Sequence, residues 1–565
     1  MSILPGRDMT RSICLLFANL SKERYKKNSY QNILAPLELE RFTTFAMVLY
    51  YIVAFFVTII ICALQYLLTK NHDHWKKRKV PHLKPSLLFG NYKETILLNK
   101  HQSLVAHEIC KQFPNEPYIG TFFGTSPALM IQDPDLIKLV FVTDFYYFSG
   151  REVNDYSHKE PITNNIFFTG GDKWKIQRQN LTPLYSAAKV KGMFYLVKDC
   201  ANQFERLLEE VTKNSPYLDA KSLLAMFTID VITSCAFGIN CNMMDLNADA
   251  SKNPFMVLRE KILDSSKIAG IKLYCRQMWP SLFYGLGFTL FDKNINNFFG
   301  TILGGVFASR ENAQSSTCDF VDLILTWKKN KVLTGDSISN EKTGGKKTIS
   351  LEVTDDLLVS QCVALFAAGF ETTASTLSYA LYEIAKNQEV QTKVISEVDS
   401  YFEKNDTIEY ECVNELPYIA ACIEETLRIY PVIGLMTREV MDDYTLPTGL
   451  SLQKGDRIHV SIYSLHHNPD YFPEPEVYRP ERFYGDARKD IKPFTFFPFG
   501  EGARICLGLR FSKMPLHAGL LTIFKNYRIE LAEDMPLTIP FTPFSLVTTS
   551  AIPIKLKFIP RTRTA

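Results

Sequence analysis

Hydrophobic and polar positions are unevenly spread along this chain. From residue 42 to residue 69 no charged side chain occurs, and the run FTTFAMVLYYIVAFFVTIIICALQYLLT lacks the polar stripe that a buried core helix carries. It is longer than the ~20 residues a helix needs to cross a bilayer, so residues 42–69 read as a transmembrane anchor. No small-residue cleavage site follows, which favours an uncleaved anchor over a removed signal peptide. Lys70, Lys76, Lys77, Arg78 and Lys79 come next, with Trp75 placed for the membrane interface, and counting positive charge puts this side in the cytosol. Lys22, Arg24, Lys26, Lys27 and Arg41 on the other side weigh against that orientation. Pro81, Pro85 and Gly90 make residues 70–90 a stiff, non-helical linker, leaving 91–565 as the globule.

Within the globule, short alternating segments at 118–123 and 128–132 predict strands, and helical periodicity dominates the remainder. The pattern is mainly α with a small β lobe. Residues 334–350 (TGDSISNEKTGGKKTIS) read as a polar surface loop. After it, Thr354 is a helix cap with Asp355 and Asp356 in the first turn. Continued to Lys386, that helix is roughly 50 Å long at 1.5 Å per residue. Being apolar over 357–368, it should run through the middle of the domain.

Residues 1–41 form an N-terminal extension that mixes basic and polar residues without periodicity. A start at Met47 leaves 22 uncharged residues before Lys70, enough to span, and removes the competing basic residues. Residues 1–46 are therefore expected to be an upstream extension of the gene model or a disordered, dispensable tail. A targeting segment is the alternative, given Arg7 and Arg11, with Asp8 and Glu23 counting against it.

At 565 residues the chain has ordinary globular composition, 46% hydrophobic and 22% charged, with 40 Phe and 27 Tyr to fill a large core. A net charge of +3 argues against a dedicated nucleic-acid binder. The 12 cysteines are scattered without CxxC pairs or a zinc pattern, so they read as reduced and mostly buried.

Chemistry concentrates late, in Phe499-Gly-Glu-Gly502-Ala-Arg504-Ile-Cys506-Leu-Gly508. This is a cysteine in a glycine-rich loop with a cation two residues before it. Glycines let backbone N–H groups approach the sulfur, and the helix that starts at Leu509 favours a thiolate at its N-terminus. Upstream, Glu425 and Arg428 at i, i+3 share a helix face, with Pro480-Glu-Arg482-Phe483 between them and the cysteine. In the long helix, Ala368-Gly-Phe-Glu371-Thr372-Thr sets a carboxylate beside a hydroxyl, a pairing suited to proton delivery. Gly369 costs that helix about 1 kcal/mol relative to alanine, so something should be gained there. Trp174 and Arg178 at i, i+4 are both donors that could bind a carboxylate.

The frame Phe-x-x-Gly-x-Arg-x-Cys-x-Gly resembles the haem-binding loop of cytochromes P-450, where the cysteine thiolate is the axial iron ligand. The resemblance runs from Trp75 to the C-terminus. The stretches HDHWKKRKVPHLKPSLLFGN, Gly171-Asp-Lys-Trp174 and Leu181-Thr-Pro183 look like insect microsomal P-450s allied to vertebrate drug-metabolising enzymes. It implies the P-450 fold, with haem b between the long helix and the Cys506 loop. It makes Cys506 the metal ligand and Phe499 part of the haem loop. Trp174, Arg178, Arg438 and Arg504 become contacts of the haem propionates, Glu371 and Thr372 the oxygen-activating pair, and Glu425, Arg428 and Arg482 a buried architectural triad. Pro515, where the family often has glutamine, should kink the helix after the cysteine.

The implied reaction is insertion of one oxygen atom from O2 into a lipophilic substrate, with NADPH electrons from NADPH–cytochrome P-450 reductase and cytochrome b5 as a second donor. The implied place is the endoplasmic reticulum membrane, with the catalytic domain facing the cytosol. The implied pocket is lined by residues 145–168, 364–372, 432–435 and 544–549, and Lys173, Lys175, Arg510 and Lys513 are expected to dock the reductase. A peroxide-rearranging or isomerising P-450 without a reductase is the rival enzyme, disfavoured by the Glu371–Thr372 pair. A non-catalytic membrane haem-binding protein is the third reading.

Overall fold

The computed structural model describes residues 34–246, 250–262, 266–292, 294–311 and 320–562. The chain divides into two compact units, one ending at Lys70 and one beginning at Asn71.

The described part of the first unit is one helix, α1 (Leu34–Thr69). Its apolar side chains stand exposed all round from Phe42 to Thr69, and none of that span is buried in protein. A helix apolar on every face needs lipid on every face. α1 covers residues 34–46 of the stretch expected to be an upstream extension or a dispensable tail, and these residues are helical. The remainder of that extension lies outside the described residues.

The second unit is mainly helical with small sheets. A four-stranded sheet holds β1 (Tyr118–Phe123), β2 (Ser126–Ile131), β6 (Leu435–Glu439) and β7 (Arg457–Ser461) in the order β1-β2-β7-β6. Only β2–β7 is parallel, with Leu129 opposite Ile458. A three-stranded sheet orders β8 (Tyr527–Leu531), β9 (Lys555–Pro560) and β3 (Tyr217–Asp219).

Residues after the anchor do not behave as a linker. Trp75 is buried rather than at a membrane interface, its Nε1–H donating to the Thr121 carbonyl at 2.8 Å. It packs so closely on β1 that a Cβ at Gly120 would lie 2.4 Å from its ring. A tryptophan gains more from filling a sheet face than from marking an interface. Residues 334–350 also depart from a plain loop: β4 (Val332–Asp336) and β5 (Thr348–Glu352) form an antiparallel hairpin.

The long helix is as expected. It runs from Asp355 to Lys386 (α6), and the Thr354 hydroxyl accepts from the Leu357 N–H at 3.2 Å. Earlier in the chain come α2 (Gly171–Leu181), α3 (Ala220–Ile232), α4 (Pro254–Ile262) and α5 (Lys267–Met278), of which α2, α3 and α4 touch α6, and later come α7 (Pro417–Ile429) and α8 (Leu509–Asn526), which pack against it. The cost of Gly369 is repaid by packing, because a Cβ there would lie 2.4 Å from Ile232 of α3. α8 runs on through Pro515, which is buried. Among the described residues the cysteines form no disulfide.

Candidate functional site

The Cys506 loop is built by backbone constraints. Gly500 and Gly502 both have positive φ, +76° and +68°, where a side chain is strained. At Gly502 a Cβ would also lie 1.9 Å from the Phe141 carbonyl oxygen. The Cys506 N–H donates to the Phe499 carbonyl at 2.8 Å, closing the loop, and α8 begins three residues on. Cys506 is exposed by area, yet burial still pushes its thiol above the ordinary range. The sulfur is thus accessible while enclosed by neighbouring protein. The Gly508 N–H and the Arg178 guanidinium pull the other way without prevailing.

In the triad Glu425 and Arg428 are fully buried and Arg482 is mostly so, which rules out a solvated surface pair. Arg428 donates to both Glu425 oxygens at 2.7 and 2.8 Å and to the His466 carbonyl at 2.8 Å. Arg482 Nε lies 3.5 Å from Glu425 Oε1, and the Arg479 N–H donates to that oxygen at 2.9 Å.

Four arginines gather beside the cysteine. Arg504 donates to the Ser149 and Thr169 carbonyls and lies 4.4 Å over the Trp174 ring. Arg178 donates to the Ile505 carbonyl at 2.8 Å. Arg438 is buried over Phe141, bonded to its neighbour Thr437's carbonyl, while its Nε meets no acceptor among the described residues. Burial lowers the pKa of all three, and Arg151, a fourth cation, depresses Arg438 and Arg504 further. Among the described residues no carboxylate pairs with Arg178, Arg438 or Arg504. Concentrated buried cations need an anionic partner, so a site with a sulfur on one side and anion-seeking arginines at the rim fits haem and its propionates. Arg151 was not foreseen; a lone loop arginine has no spacing partner to flag it.

On α6, Ala368 is exposed and Thr372 half-buried in the middle of a largely buried helix, so one of its faces lines accessible space. The Thr372 hydroxyl donates to the Ala368 carbonyl at 2.6 Å. Glu371 faces elsewhere. It is 3% exposed, accepts from Thr549 Oγ1 at 3.3 Å, and lies 3.9 Å from Lys221 of α3 and 3.7 Å from Arg259 of α4.

The cytochrome P450 family model matches residues 80–558 of this chain. The chain belongs to the cytochrome P450 family. The P450 fold and monooxygenase class follow from that membership, and with them a haem cofactor. Relatives include cytochrome P450 6B1 of Papilio polyxenes, 33% identical over 87% of this chain and 96% of the relative. Cytochrome P450 6B6 of Helicoverpa armigera is 30% identical over 89% of this chain and 97% of the relative. Cytochrome P450 6j1 of Blattella germanica is 32% identical over the same shares. The P450 chain is thus similar to a set of insect enzymes along nearly their whole length.

Of the residues expected to dock a reductase, Arg510 and Lys513 are exposed, but Lys175 is not free for it. Lys175 forms an ion pair with Glu341 of the β4–β5 segment.

Proposed function

We propose that this P450 is a membrane-anchored haem-thiolate monooxygenase that inserts one oxygen atom from O2 into a lipophilic substrate. Its electrons come from NADPH through NADPH–cytochrome P-450 reductase, with cytochrome b5 as a second donor. The carrying observation is the Cys506 loop with Arg178, Arg438 and Arg504 gathered near it and no carboxylate paired with them among the described residues, in a chain that the P450 family model matches over residues 80–558. The haem, when bound, supplies the oxygen-activating iron. Cys506 would ligate that iron, with Phe499 packed in its loop. Arg178, Arg438 and Arg504, with Trp174 beneath Arg504, would hold the propionates and so fix the ring between loop and helix. Thr372 would position a water-borne proton at its hydroxyl, and Glu371 would pass protons to it from outside the haem site.

Of the pocket segments, 364–372 and 432–435 are largely apolar and 145–168 opens and closes on aromatic residues, which supports a lipophilic substrate. The anchor span supports residence in the endoplasmic reticulum membrane, with the catalytic unit in the cytosol beside the basic residues that follow α1. Between Ile268 and Phe288, five large apolar side chains (Ile268, Ile271, Leu282, Leu286 and Phe288) stand exposed, a further contact for lipid.

The test is spectroscopic. The reduced, carbon-monoxide-bound protein should have the red-shifted Soret band of thiolate-ligated haem, and Cys506→His should move it to the position of His-ligated haem. An unchanged band in that variant would overturn the ligand assignment.

A further inference from the structure

Glu371 begins a row. Ser375, Tyr379 and Glu383 follow it at intervals of four, so the four side chains share one strip of α6. All are buried, at 3%, 3%, 2% and 2% exposure. From Glu371 to Glu383 the strip covers about 18 Å of helix.

The hydroxyls in this row are used unlike those beside it. Thr372, Thr373, Thr376 and Ser378 all bond back to the carbonyl four residues before them, the usual way to bury a helical hydroxyl. Ser375 Oγ and Tyr379 OH have no hydrogen-bond partner among the described residues. A buried hydroxyl without a partner is costly, and phenylalanine or alanine would avoid the cost, so their retention calls for a reason.

The row continues into a second ring. Tyr430 stacks flat on Tyr379, ring centroids 4.2 Å apart, and its hydroxyl donates to Glu383 Oε1 at 2.6 Å. The other Glu383 oxygen lies 3.6 Å from Lys386, whose side chain reaches the surface. Burial raises the Glu383 carboxyl above its usual range, against the bond from Tyr430 and the charge of Lys386; Glu425 adds to the rise. Tyr379 in turn feels the charge of Glu371, at the other end of the row.

We propose that Glu383, Tyr430, Tyr379 and Ser375 form a buried proton line that supplies Glu371 from the C-terminal end of α6. The proposal rests on Glu371 being the proton donor to the haem site. In one transfer, protonated Glu383 gives its proton to the Tyr430 oxygen, and Tyr430 releases the proton it held. Tyr379 and Ser375 do the same in turn, through bridging water where oxygens do not touch. Glu371 gains one proton and Glu383 loses one, which solvent beside Lys386 replaces. No hydroxyl changes its net charge.

The experiment uses the haem-loaded full chain with NADPH and the reductase. The ratio of hydrogen peroxide formed to NADPH oxidised separates peroxide release from product formation and from water formation, neither of which yields peroxide. Tyr379→Phe, Tyr430→Phe and Glu383→Gln should each shift it toward peroxide by severalfold, below the roughly hundredfold that a directly placed acid contributes. Ser378→Ala, a neighbour whose hydroxyl is already spent on its own helix, should match the parent. Infrared spectra, which need no turnover, should contain a protonated-carboxyl band that is lost in Glu383→Gln and moved in Tyr430→Phe. Tyr379→Phe should melt no lower than the parent, because it removes an unpaired buried hydroxyl. If Glu371→Gln alone shifts the ratio, and the band does not respond to Tyr430, the line is refuted while the role of Glu371 stands. If Glu371→Gln also matches the parent, the role of Glu371 fails first.

Discussion

Gly502 stands where no other residue fits, with positive φ and the Phe141 carbonyl oxygen in the place of a Cβ. Gly502→Ala should cost at least the ~1–3 kcal/mol of a strained left-handed residue and displace the Cys506 loop. Gly508→Ala, with open space around it, should cost under about 1 kcal/mol. Thermal unfolding and haem content measure both, and equal effects would mean that the Phe141 contact does not govern the loop. The motif glycines were legible in the sequence as a means of bringing N–H groups to sulfur. Gly508 fits that reading, since its N–H reaches Cys506. Gly502 does not; its constraint comes from a residue far away in sequence. The Glu425–Arg428 pair was readable because both partners sit on one helix turn. The pairing of Lys175 with Glu341, 166 residues apart, was not, and neither was the gathering of Arg151 with Arg438 and Arg504.

Among the elements, α6 was legible from end to end because its signals are local: a threonine cap, two acids in the first turn and a sustained apolar face. The β4–β5 hairpin was not. Its strands fully bury only Leu333, the alternation of Ile349 and Leu351 with polar neighbours spans just five residues, and their order comes from bonds to α2. Asp172 accepts from Ser337 Oγ at 2.9 Å and the Ile338 N–H at 2.7 Å, and Gln179 donates to Asp336 at 2.9 Å. Asp172→Ala should therefore speed amide exchange at residues 332–338 and cost about 1–3 kcal/mol, while amides of α6 keep their protection. Hydrogen-exchange mass spectrometry reads this directly, and unaltered exchange in the hairpin would show that β4 and β5 hold each other without α2. The hairpin also explains why a lysine that looked available for docking is engaged.

For the whole molecule, electron delivery should depend on the basic residues that remain free, Arg510 and Lys513 first. The reductase Michaelis constant should rise with ionic strength as screening shortens below ~10 Å above 0.1 M, and rise further in Arg510→Glu and Lys513→Glu. Steady-state kinetics across salt concentrations test this, and a salt-independent constant would point to an apolar interface. Lys175→Ala should weaken the hairpin instead of the encounter, leaving the salt slope unchanged. The anchor carries a different consequence. Its 28 apolar residues extend about 42 Å, whereas the hydrocarbon layer is ~30 Å thick. The surplus is absorbed by inclination or by lipid stretching around the helix, each at a fraction of a kcal/mol per ångström. Such a segment tolerates thin and thick bilayers alike and can lose two turns from its outer end without ceasing to span. Bilayer thickness is then a poor address for this enzyme, and its residence in one compartment must be read from something other than the length of α1.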